Sequence, residues 1–200
     1  MKYKKMILKI LSMTLVACVS FAPISVFANP TEDTTEIVEE VVEEQKLYPE
    51  DAIILSTVED ILSLAENCVL DTWSVGKTVV LNNDIDMSGV AFEGIPTFGG
   101  TFLGQGYKIT GLHMDHDASV VGFFRYLQKK AVVDNLHIEA TVLPEGTSKI
   151  VGGIVGSNAG TIKNSTFSGE VSGKEQIGGI AGLNRAMGII ENCTSKGLIH

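Results

Sequence analysis

The chain has 200 residues, of which 44% are hydrophobic and 20% charged, with 21 glycines and a formal net charge of −9. That is enough apolar material to bury a core, while the acidic balance argues against a nucleic-acid partner, because phosphate binding needs a basic face. The cysteines, Cys18, Cys68 and Cys193, offer neither a disulfide framework nor a zinc-ligand spacing.

Residues 1–28 begin with Lys2, Lys4, Lys5 and Lys9, continue through an apolar stretch and end with Val26 and Ala28 ahead of a polar, proline-containing segment. This is the pattern of a secretory signal peptide cleaved after Ala28. The apolar stretch is also about long enough for an uncleaved anchor. Leu15–Cys18 resembles a lipobox, which would make Cys18 a lipidation site. Membrane association is expected only through these features. Residues 29–51 carry nine carboxylates against one base, Lys46. Like-charge repulsion and low hydrophobicity there predict an acidic, disordered spacer, with no spacing of the EF-hand kind for calcium.

Ser56 with Glu59 three residues later reads as a capping box. Val58, Ile61, Leu62, Ala65 and Val69 then recur at helical spacing. The expectation is an N-terminal capping helix within 52–75 that covers the first open strand edge, with Cys68 at the border of its apolar stripe as an inert thiol. A bridge from Cys68 to Cys193 is conceivable in an oxidising compartment, although a helix and a late coil need not meet.

From Thr78–Leu81 onward, 76–200 reads as strands. Ile109–Met114, Val133–Ile138, Ile162–Phe167 and Ile190–Ser195 align on Gly111, Asn135, Asn164 and Asn192, giving steps of 24, 29 and 28 residues. After Asn135, the apolar Leu136, Ile138, Ala140 and Val142 alternate with polar residues, the two-residue period of a strand with one buried face. The equivalent inward sets are Ser165, Phe167, Gly169 and Val171, then Cys193, Ser195, Gly197 and Ile199. Stacked coils would place Leu136, Ser165 and Cys193 in one interior column and Ile138, Phe167 and Ser195 in another. The asparagines mark a packed bend, where their amides would bond to one another or to corner backbone.

The stretches GGIVGSNAG from Gly152 and GGIAGLNRA from Gly178 resemble the GLUG motif of secreted and surface proteins of bacteria, and VVLNNDIDMSG, FGGTFLGQGYKITGL and VVGFFRYL resemble the leader that commonly precedes such repeats, the resemblance together covering about 55–200. The resemblance implies an all-β fold, a right-handed parallel β-helix (solenoid), and is nearly silent on activity. Val121–Tyr126 departs from the motif, with Phe123 and Phe124 in place of a small glycine-rich turn.

No catalytic, cofactor-binding or metal residues are assigned. Asp84 and Asp86 read as part of a leader turn, and His113, Asp115, His116 and Asp117 as a solvated one. A polysaccharide lyase or hydrolase would need carboxylates gathered on one face, whereas the acids after Gly89 are scattered and the arginines are Arg125 and Arg185. The sequons at Asn164 and Asn192 read as chance matches. The expected function is an exported, cell-surface or secreted solenoid serving in adhesion or as a structural or binding module, not an enzyme. Its contact residues would be the outward His137, Glu139, Thr166, Ser168 and Glu170, and its partners host or envelope glycan or protein. A carbohydrate-active β-helix, or its non-catalytic repeat region, is the alternative. The second repeat ends at His200, so end-to-end self-association through an open last coil is also expected.

Overall fold

The computed structural model describes residues 48–200. The expectations for the signal segment 1–28, for Cys18 and for nearly all of the 29–51 spacer lie outside the described residues.

Strand β1 (Ile53–Leu55) and helix α1 (Val58–Asn67) open the fold, and a first turn follows through β2 (Thr78–Leu81), β3 (Ile85–Asp86) and β4 (Ile95–Phe98). The second turn comprises β5 (Thr101–Leu103), β6 (Lys108–Met114), β7 (Val120–Val121) and β8 (Phe124–Leu127). The third comprises β9 (Val132–Asp134), β10 (His137–Val142), β11 (Ile150–Gly152) and β12 (Val155–Asn158). The fourth comprises β13 (Thr161–Lys163), β14 (Thr166–Val171), β15 (Gln176–Gly178) and β16 (Ala181–Asn184), and β17 (Ile189–Glu191) and β18 (Thr194–Ile199) begin a fifth. Corresponding strands stack into four sheets: β1-β2-β5-β9-β13-β17, β3-β6-β10-β14-β18, β7-β11-β15 and β4-β8-β12-β16. Their pairings are parallel throughout. The fold is therefore a parallel β-solenoid of about five turns.

The interior follows from the alternation. Leu136, Ile138, Ala140 and Val142 are buried along β10, and Ser165, Phe167 and Val171 along the next coil. Register pairs Ile138 with Phe167 and Phe167 with Ser195, so the second inward column stands as expected. Each large apolar side chain buried in this way stabilises by roughly 1.5–3 kcal/mol. Gly169 and Gly197 differ from the expectation. They adopt φ of 141° and 128°, and a Cβ on Gly169 would meet the Ala140 carbonyl of the coil beneath rather than the interior.

Gly111 is not the first member of the asparagine column. Leu103 pairs with Asp134, which puts Gly104 opposite Asn135, a step of 31 residues, while Ile109 pairs with Ile138. The ladder then shifts between Ile138 and Ala140, so Thr110 and Gly111 together oppose Glu139. Gly111, at φ 67°, is thus part of a β-bulge in β6. The alignment by apolar residues alone missed this because the bulge breaks the two-residue alternation within β6, where Ile109 and Leu112, three apart, are both buried.

The asparagines do form the bend. Asn135, Asn164 and Asn192 have φ of 54°, 52° and 51°, the left-handed region that asparagine tolerates better than other side-chain-bearing residues. Asn192 Nδ2 donates to Asn164 Oδ1 at 3.4 Å, and Asn164 Nδ2 donates to Asp134 Oδ1 at 2.9 Å. These side chains are exposed, so the corner is solvated rather than packed.

Helix α1 is shorter than the 52–75 segment, and its cap sits one residue later than Ser56. Thr57 is the N-cap, and its hydroxyl accepts from Asp60 N–H at 3.2 Å. The Asp60 carboxylate accepts in return from the N–H groups of Ser56 and Thr57 at 2.9 Å each. The buried face runs through Ile61, Leu64 and Cys68, whereas Val69 is 73% exposed. The edge of the longest sheet is occupied by β1, paired with β2. The helix therefore closes the end of the apolar core rather than a strand edge.

Phe123 and Phe124 belong to that core. Val121 pairs with Val151 and Phe124 with Val155, so this corner is one residue shorter than the next. The two rings meet at 5.0 Å edge to face and join Phe92, Phe98 and Phe102 in one aromatic cluster. At the opposite end, β15 to β18 each stand last in their sheets among the described residues, and Ile190 and Ile199 are 39% and 50% exposed.

Candidate functional site

The sheet β3-β6-β10-β14-β18, called the lateral sheet here, brings the outward residues expected from sequence into ordered rows. Because equivalent residues stack in register, Lys108, His137, Thr166 and Thr194 form one row along the solenoid axis. Glu139, Ser168 and Lys196 form the next, and His113, Thr141, Glu170 and Leu198 a third.

Between the first two rows lies a furrow of about 460 Å³, bordered by the side chains of Lys108, His137, Glu139, Thr166, Ser168 and Lys196. A second hollow of about 420 Å³ beside it shares Glu139 and Ser168, and opens where Gly111 and Gly169 carry no side chain. A third, of about 370 Å³, lies at the corner against Gln105, Asp134, Asn135 and Asn164.

Polar contacts in the furrow are few and local. His137 Nδ1 and Thr166 Oγ1 are 2.7 Å apart, and Lys108 Nζ meets Glu139 Oε1 at 3.3 Å with both side chains about half exposed. Such an exposed pair contributes about 0–1 kcal/mol. Among the described residues, the side chains of Ser168, Thr194 and Lys196 have no hydrogen-bond or ion-pair partner, which leaves them available to a ligand. Glu170 lies outside the furrow, 3.4 Å from His200 Nε2. Sequence reasoning missed Lys108, Thr194 and Lys196. The alternation that found His137 and Glu139 also marks Thr194 and Lys196, and Lys108 needed the true β6–β10 register.

The remaining candidates are placed elsewhere. Asp84 Oδ1 accepts from Lys108 N–H at 2.8 Å, and Asp86 Oδ1 accepts from the Ser88 hydroxyl and N–H at 2.6 and 2.9 Å. The two Ser88 bonds hold the Asp86 carboxyl below its ordinary range. Asp117 Oδ1 accepts from Thr147 N–H at 2.9 Å, and His113 Nε2 lies 3.6 Å from Asp115. His116 is half-buried with Nε2 unpartnered. Burial lowers its pKa, opposed by Glu93 and reinforced by Arg125. Among the described residues no group of three or more His, Cys, Asp or Glu side chains is placed to hold a metal ion.

Both arginines serve the scaffold, with Arg125 Nε donating to Val120 O at 3.2 Å and Arg185 Nε to Ser157 Oγ at 2.8 Å. Cys68 and Cys193 are both free. Burial pushes the Cys68 thiol up to about 11, against a smaller lowering from Ser74, so it is a packed and unreactive group.

Lateral rows repeated coil by coil, over a core sealed at one end by a helix, define a β-solenoid repeat protein. Two of its coils match the GLUG motif, over residues 147–172 and 173–199, each spanning one complete turn from the approach to β11 or β15 through the end of β14 or β18. Halomucin of Haloquadratum walsbyi (strain DSM 16790 / HBSQ001) is 37% identical over 93 residues, covering 46% of this chain and 1% of halomucin. No solved structure matches significantly.

Proposed function

We propose that the protein is exported and acts at the cell surface or in the secreted fraction as an adhesive or structural binding module. The observation that carries this reading is the lateral sheet, whose outward side chains repeat in register and leave polar groups uncommitted. Likeness to a protein named halomucin supports an extracellular setting, as does the signal-like pattern of residues 1–28. The partners are host or envelope glycan or protein, met through His137, Glu139, Thr166 and Ser168. One carboxylate, Glu139, lines the furrow, whereas glycoside hydrolysis uses a pair, which favours binding over catalysis.

Mass spectrometry of the cell-surface and secreted fractions tests export. A mature chain starting at Asn29 is the expected product, and one starting at an acylated Cys18 would replace simple secretion by lipid anchoring. A chain confined to the cytoplasm would contradict the proposal. Incubation with pectin-like and glycosaminoglycan polymers tests the enzymatic alternative, for which product release would be decisive.

The proposal extends to copies meeting through the end formed by β15 to β18, where strand edges are unpaired among the described residues. Sedimentation should then depend on concentration, and Ile199→Lys should abolish that dependence. A monomer at all concentrations would refute it.

A further inference from the structure

We propose that the furrow on the lateral sheet holds one strand of a linear, uncharged polysaccharide lying along the solenoid axis, about one sugar ring per coil. This rests on the binding reading above and adds the ligand's chemistry, direction and footprint.

Backbone pairing limits what can bind. Strands β10 and β14 are flanked on both sides by neighbours in the sheet, so their N–H and C=O groups are committed and a peptide cannot join there as an added strand. Recognition in the furrow falls to side chains. Ser168 and Thr194 bring free hydroxyls, which donate and accept at once. His137 keeps Nε2 after Nδ1 engages Thr166, and Glu139 keeps one oxygen after the other meets Lys108. Mixed donors and acceptors at short intervals match a ligand whose every unit carries adjacent hydroxyls.

Charge narrows the class. Lys108 is matched by Glu139, and the rows continue toward the first turn into carboxylates, since Asp84 touches Lys108 N–H and Asp86 pairs with Thr110. A polyanion would run onto those acids, and a polycation would meet Lys108 and Lys196. An uncharged chain meets neither obstacle.

Direction follows from register. The lining residues recur once per coil along the axis, at the strand spacing of about 4.8 Å, a step comparable with one pyranose ring in an extended chain.

The test is titration of the protein with β-1,4-glucan oligomers of rising length, followed by calorimetry and by amide NMR shifts. Affinity should climb with length up to a tetramer, one ring for each of β6, β10, β14 and β18, and then level off. The largest shifts should fall at Lys108, His137–Glu139, Thr166–Ser168 and Thr194–Lys196. Ser168→Trp should fill the furrow and abolish binding. Thr194→Ala and Lys196→Ala, at exposed outward positions, should each weaken binding about fivefold, the value of one hydrogen bond, without changing the melting temperature.

Affinity independent of length, tighter binding of tetragalacturonate than of the uncharged tetramer, or binding unaffected by Ser168→Trp would overturn the proposal. If no oligomer binds but the protein still attaches to envelope material and Ser168→Trp does not, the ligand class is wrong while the binding reading stands. If wild type and Ser168→Trp attach to envelope material equally, both fall.

Discussion

Phe167 fills space that Gly153 leaves empty: a Cβ added to Gly153 would run into the Phe167 ring. One coil later, a Cβ on Gly179 would run into the Ser195 hydroxyl, and Ser195 pairs with Phe167 in the sheet. The second glycine of these two GG pairs therefore receives a side chain from the lateral sheet, which ties the glycine corner after β11 to β14 and that after β15 to β18. Gly153→Ala should destabilise by about 1–3 kcal/mol through overpacking. Combining it with Phe167→Ala should be non-additive by more than about 0.5 kcal/mol. Strict additivity in denaturant melts would show that the two positions do not share this space.

The faces of β14 make a sharper contrast. Phe167 is 1% exposed and Glu170 stands on the outside near His200. Phe167→Asp would bury an unpaired charge and should prevent cooperative folding, while Glu170→Lys should melt within about 0.5 kcal/mol of wild type. Circular dichroism melts giving equal effects would refute the assigned register.

At the corner, Asn164 combines a left-handed backbone with a hydrogen bond to Asp134. Asn164→Ala should cost roughly 1–2 kcal/mol, because alanine resists that conformation and the bond is lost. Asn164→Gly should retain more stability than alanine. Equal losses for glycine and alanine would mean that the lost side-chain bond, not the left-handed backbone, sets the cost at this corner.

Cap stability should depend on pH. Bonds from Ser56 N–H, then from Thr57, hold the Asp60 carboxyl below its ordinary value in the folded state. Its stabilisation is therefore complete above the ordinary carboxylate value and is lost as pH falls through the lowered one. Asp60→Asn should melt earlier than wild type at neutral pH, and the two curves should converge in acid. A difference that persists at low pH would exclude the carboxylate as its source.

Alternation along β10, β14 and β18 carried most of the fold and the outward residues of the site, because a two-residue period maps directly onto inside and outside. Its failures have local causes. The register of β6, and with it Lys108, was misplaced because an apolar pattern cannot distinguish Ile109 stacked on Ile138 from Ile109 stacked on Val133, and the one-residue bulge at Gly111 then broke the alternation that would have exposed the error. The cap read at Ser56 with Glu59 falls one residue short of Thr57 with Asp60, because Ser–Thr–Val–Glu–Asp repeats the hydroxyl-to-acid spacing in two adjacent frames. The furrow was invisible for another reason. It depends on which side chains stop short of one another across coils, and no single strand encodes that.

The most direct test of the account is attachment of purified protein to immobilised envelope polysaccharide and glycoprotein fractions, comparing wild type, Ser168→Trp, and Lys174→Trp on the turn between β14 and β15. Wild type and Lys174→Trp should attach alike while Ser168→Trp does not. Equal attachment by all three would contradict the assignment of binding to the lateral sheet.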